Sequence, residues 1–84
     1  MNLLFVTDEQ IKRAFGKVLK ELRESKNISQ EALAHAIESH ATHISRLENG
    51  HKQPTLTTLF KIAEKLEIEP EEFIIKTKSK SLKS

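Results

Sequence analysis

The apolar residues of this chain fall into stripes with a period near 3.6, the spacing that gathers side chains on one face of a helix. Ile11, Ala14, Phe15, Val18, Leu19 and Leu22 recur at i, i+3, i+4, i+7, i+8 and i+11 and predict a first helix. Thr7 stands at its N-cap with Gln10 three residues on, a capping-box spacing, and Val6 and Ile11 hold the two hydrophobic-staple positions. The helix should end near Lys26, because Asn27 tolerates the left-handed conformation in which the chain leaves it. Ser29 caps a second helix over 30–37 that carries Ala32, Leu33, Ala34 and Ile37, with Gln30 and Glu31 at the positive end of its dipole. After a break at Glu38-Ser39, the positions Ala41, Ile44 and Leu47 predict a third helix over 40–49, stopped by Asn49-Gly50. Thr55 caps a fourth, with the stripe Leu56, Leu59, Phe60, Ala63 and Leu66, and Glu69-Pro70-Glu71-Glu72 opens a short fifth carrying Phe73, Ile74 and Ile75. Only Leu3–Val6 offers anything like a strand, so the expected fold class is all-α.

In residues 30–50 two short helices are joined by a turn of about three residues and must cross at a large angle, which calls for a small residue at the crossing and apolar ones beneath. Ala34 is the small residue, and Leu33, Ile37, Ile44 and Leu47 are the apolar ones. Together with Leu22-Arg23, Ile28-Ser29-Gln30, Ser45, Glu48-Asn49-Gly50, Pro54, Leu59 and Leu66, this pattern closely resembles the phage repressor and Cro-like family of helix-turn-helix DNA-binding regulators, also called XRE-like. The resemblance covers residues 12–75 and implies a compact five-helix, lambda-repressor-like domain. Glu38 departs from it, since the family often has Gly at this turn position. A side chain in the left-handed backbone common there costs about 1 kcal/mol.

An α-helix fits a major groove about 12 Å wide, where each base pair shows a distinct pattern of donors and acceptors. The apolar positions of the third helix face the core, which leaves His40, Ala41, Thr42, His43, Ser45 and Arg46 to meet DNA. The resemblance implies base contacts from Ala41, Thr42 and Arg46, with His40 and His43 at the groove edge. Arg46 is the strongest candidate for specificity, because its planar fork can engage guanine O6 and N7 together. The resemblance implies that Gln30, at the start of the second helix, approaches a phosphate or an edge base, and Asn49, His51 and Lys52 sit in the exit loop where they can reach a backbone phosphate. The resemblance also implies a partly buried structural ion pair between Arg23 and Glu48.

Composition narrows the alternatives. With 84 residues, 37% apolar and 31% charged, the chain holds one domain with a marginal core. There is no Cys, so disulfides and thiolate metal sites are absent. All four His lie within 35–51, but no carboxylate completes a ligand set, and no Gly-x-Ser-x-Gly elbow marks a hydrolase; no metal, cofactor, small-molecule ligand or enzymatic activity is expected. No apolar run approaches the roughly 20 residues of a membrane span, and Leu3-Leu4-Phe5-Val6 is too short for a leader of about 7–15, so a cytoplasmic protein is expected. Residues 1–75 carry ten Lys or Arg against twelve Asp or Glu, whereas residues 76–84 carry four Lys and no acid. This basic end shows no periodicity and is expected to be disordered, leaving residues 1–11 as an N-terminal extension with the start of the first helix. The modest charge of residues 1–75 keeps one alternative in play: a helix-turn-helix protein-interaction module, antitoxin-like, with DNA binding secondary. Finally, one reader helix spans too few base pairs for genomic specificity, and Phe73, Ile74 and Ile75 cannot share one face; a homodimer on a pseudo-palindromic operator is expected, with those three residues at the seam and Leu3–Val6 as a second contact.

Overall fold

The four cap residues Thr7, Ser29, His40 and Thr55 lie in extended backbone, and the chain turns helical directly after each. The computed structural model describes residues 6–83: α1 (Asp8–Ser25), α2 (Gln30–Ala36), α3 (Ala41–Glu48), α4 (Leu56–Lys65) and α5 (Pro70–Lys83). The capping box is complete at α1, where Thr7 Oγ1 accepts the Gln10 N–H at 3.1 Å and Gln10 Oε1 accepts the Thr7 N–H at 2.8 Å. Ser29 and Thr55 cap α2 and α4 through their hydroxyls, while His40, expected inside the third helix, is its N-cap and makes no side-chain capping bond. Leu3, Leu4 and Phe5, read above as a possible strand and dimer contact, lie outside the described residues.

α1 to α4 all end in the same way. The residue after each C-cap takes a positive φ: Asn27 at 56°, Glu38 at 57°, Gly50 at 75° and Glu67 at 57°. The next N–H then folds back to the carbonyl five residues earlier, as in Ser39 to Ala34 at 2.8 Å and His51 to Arg46 at 2.9 Å, with the equivalent bonds from Ile28 to Arg23 and Ile68 to Ala63. These Schellman closures satisfy the last carbonyls and aim each chain exit at the next helix start. Glu38 therefore keeps the left-handed turn that the family often builds with Gly, at a cost of about 1 kcal/mol.

The core joins Phe15, Val18 and Leu19 of α1 to Leu33, Ile44, Leu47, Ile62 and Phe73 from the other helices. α3 packs against both α1 and α2, and α5 lies along α1. Gly16 makes the α1–α3 contact possible: a Cβ there would stand 2.5 Å from the carbonyl oxygens of both Leu47 and Glu48.

Two expectations are corrected. Phe73, placed at the dimer seam by sequence, is fully buried in the monomer core and stacks on Phe15 with ring centroids 5.0 Å apart. The basic end is not disordered: α5 is 14 residues long and continues through Lys83. Phe73, Thr77, Lys80 and Ser81 form its inward stripe, with Ser81 only 3% exposed and Lys80 Nζ 3.0 Å from Glu21 Oε2 of α1. That stripe has helical spacing but only one apolar member, so a hydrophobic pattern does not reveal it. Thr77 and Ser81 spend their hydroxyls on carbonyls four and three residues back, which satisfies these polar groups on the inward side of the helix.

Candidate nucleic-acid interface

α3 is fixed from its inner side. Ile44 and Leu47 are fully buried, and Glu48 at the last turn is 9% exposed. The Arg23 guanidinium reaches it from α1 through two bonds, Nε to Oε2 at 2.6 Å and Nη2 to Oε1 at 3.1 Å. Arg23 Nη1 also donates to the Ile28 carbonyl at 2.7 Å, and Gln30 Nε2 donates to Glu48 Oε1 at 3.0 Å. One carboxylate thus ties the end of α3 to α1 and to the start of α2, and its hydrogen bond raises the Arg23 pKa still further above the ordinary value. The sequence placed Gln30 at a phosphate or an edge base; its part in this network needs the α2–α3 crossing, which brings positions 18 apart together.

The outer side of α3 is open. Thr42, Arg46 and Asn49 recur at i, i+4 and i+7 and are all exposed, whereas Ala41, His43 and Ser45 flank them half-buried. The Arg46 side chain makes no hydrogen bond or ion pair with any described residue, and His40, His51 and Lys52 are exposed at the two ends of the helix. Asn49 Nδ2 leans back on Ser45 Oγ at 3.3 Å.

His43 is held by a contact that sequence did not anticipate. Its Nδ1 lies 2.7 Å from the Ser39 hydroxyl in the turn, so the imidazole links the turn to the first turn of α3. Partial burial, and then the nearby Lys52, Arg46 and His40, push its pKa below the ordinary value. The neutral ring is the folded form. Because the folded pKa lies below the unfolded one, His43 contributes stability that is complete above about pH 6.5 and is lost as pH falls through the lowered value. Thermal melts of the free protein at pH 7.5 and 5 should show this loss, and His43→Gln should reduce it.

The described residues hold no group of three His, Asp or Glu placed to bind a metal ion, and no described helix is long and apolar enough to cross a membrane. Residues 19–73 match the helix-turn-helix family HTH_3. The chain belongs to that family. It is a DNA-binding helix-turn-helix regulator of transcription of the XRE type, not an enzyme. This regulator is 35% identical over 65 residues to the control protein C.BamHI of Bacillus amyloliquefaciens, across 76% of its own chain and 80% of that protein. It is similar to the crystal structure of the restriction-modification controller protein C.AhdI from Aeromonas hydrophila, with 36% identity and a TM-score of 0.70 over 73% of this chain and 92% of that one. The clp gene regulator ClgR from Corynebacterium glutamicum superposes with a TM-score of 0.82 at 22% identity over 86% of this chain and 77% of that one, a likeness of fold alone.

Proposed function

We propose that this regulator is a restriction-modification controller that acts in the cytoplasm as a homodimer, reading a pseudo-palindromic operator with α3 in the major groove. The observation that carries the reading is the two-sidedness of α3: one side is anchored by the Arg23–Glu48–Gln30 network, and the other offers Thr42 and an unpaired Arg46 to solvent. A rigid mount and a free guanidinium are what bidentate recognition of guanine requires. Ala41 and the Thr42 methyl suit contact with a thymine methyl, His40, His43 and Ser45 flank the reader, and Gln30, Asn49, His51 and Lys52 face the phosphates. The controller assignment rests on similarity to two proteins of that description.

Arg46→Ala should lower affinity for a site selected from random DNA by about 1–3 kcal/mol and relax preference at one base position, with the melting temperature unchanged. Unaltered affinity and preference would overturn Arg46 as the reader. Lys52→Ala should instead weaken binding to every sequence alike and reduce the salt slope by about one.

The dimer reading is supported by apolar surface that the monomer leaves open: Ile74 is 52% and Ile75 62% exposed on α5, with Leu56 and Phe60 exposed on α4. A dimer that pairs there must hold its two reader helices about 34 Å apart, one turn of DNA, to meet both half-sites. Sedimentation at micromolar concentration should give a dimer, and Ile75→Asp should shift it to monomer and abolish the preference for a full palindrome over a half-site. A parent protein that stays monomeric over that range contradicts this arrangement.

A further inference from the structure

The proposed phosphate-facing positions lie at two separated places, the start of α2 and the loop after α3. The structure joins them along α1. Gly50, just past the reader helix, rests on the α1 backbone so closely that a Cβ there would lie 3.3 Å from the Cα of Arg13. Further along α1, Arg23 holds Glu48, which in turn holds Gln30 at the start of α2. The inner contacts Gly16 and Arg23 mark the flank of α1 that faces α3. Beside that flank, on the solvent side, run Arg13, Lys17 and Lys20 at i, i+4 and i+7, all exposed. None of the three side chains makes a hydrogen bond or ion pair with a described residue, although Lys12 and Lys80 both find acids on α1.

Resting on the DNA-binding reading above, we propose that Arg13 and Lys20, with Lys17 between them, form a phosphate-contacting strip on α1 that carries one DNA strand from the exit loop of α3 to the start of α2. From Arg13 to Lys20 the stripe runs about 10 Å along the helix, about three axial phosphate steps of one strand at 3.4 Å each. It is continuous with the helix-turn-helix face at both ends, and its charge complements the ligand that face serves. The low net charge of residues 1–75 does not oppose this. Five of the twelve acids lie in residues 64–72, at the corner between α4 and α5; of the four on α1, Glu9, Glu21 and Glu24 stand one turn from Arg13, Lys17 and Lys20 but form no ion pair with them. The strip carries no base information, because its partners are phosphates.

A purely structural role makes a different prediction. Arg13 lies beside the negative end of the α3 dipole, and if stabilising that end were its whole function, its loss would lower the melting temperature without changing salt dependence. The test therefore compares Arg13→Gln and Lys20→Gln with Lys65→Gln, an equal loss of charge on α4, and with the charge-conserving Arg13→Lys and Lys20→Arg. Each binds a duplex selected from random DNA by the parent and a scrambled duplex of the same length across a salt series. Both Gln variants should lower the salt slope by about 0.9 and weaken the two duplexes by the same factor, while Lys65→Gln and the charge-conserving variants keep the parent slope. Slopes for Arg13→Gln and Lys20→Gln equal to that of Lys65→Gln, with the parent still discriminating between the duplexes through Arg46, overturn the strip and leave the reader helix standing. A parent that shows no salt-dependent duplex binding at all overturns both together.

Discussion

Glu48→Ala should destabilise the folded chain by about 3–5 kcal/mol, because it strands the Arg23 guanidinium in a site only 8% exposed. The carboxylate accepts two bonds from Arg23 and one from Gln30, so its removal also leaves the Gln30 amide without its partner. Arg23→Ala should cost a similar amount, since the 9%-exposed carboxylate then keeps only the Gln30 bond. The double variant Arg23→Ala/Glu48→Ala should be clearly more stable than the sum of the two losses predicts, as neither charge is left alone. Chemical denaturation of the four proteins measures this coupling, and strict additivity would contradict it. The effect on DNA binding should follow the fold: a loosened Glu48 frees the end of α3, and a reader helix that is not held in one orientation loses specific affinity before it loses nonspecific affinity.

Phe73→Ala should cost about 3–5 kcal/mol through loss of a large buried ring and the cavity it leaves. The ring is fully buried, stacks on Phe15 and is the main apolar anchor of α5. Its removal should therefore release α5 from α1 as well, lowering helical content in addition to the melting temperature. Ile74→Ala, on the next residue but 52% exposed, should change monomer stability by less than about 1 kcal/mol. Guanidinium titration with circular dichroism distinguishes the two, and a Phe73 variant as stable as the Ile74 variant would contradict the assignment of Phe73 to the core.

The periodic stripes determined the number and order of the helices, and the cap residues Thr7, Ser29 and Thr55 the starting points of α1, α2 and α4, because capping is a local matter between a side chain and a backbone N–H three residues on. They also marked the outward face of α3, since on a short amphipathic helix the residues that are not core are surface. The exits were less visible. Asn27, with its short polar side chain, and Gly50, with no Cβ, suit the left-handed turn, but Glu38 and Glu67 adopt it with φ of 57° because the next helix must start where it does, a demand of packing over local preference. The length of α5 was also beyond the pattern. Its inward stripe after Phe73 is made of Thr77, Lys80 and Ser81, and only the groove against α1 makes that face an inner one. Of Phe73, Ile74 and Ile75, all equally apolar in sequence, tertiary structure alone decided which enters the core, because a helix places neighbours about 100° apart and the packing angle of α5 selects one. The Arg23–Glu48–Gln30 network and the alignment of the α1 cations with the exit of α3 depend likewise on residues 18 to 37 apart, whose meeting no local rule encodes.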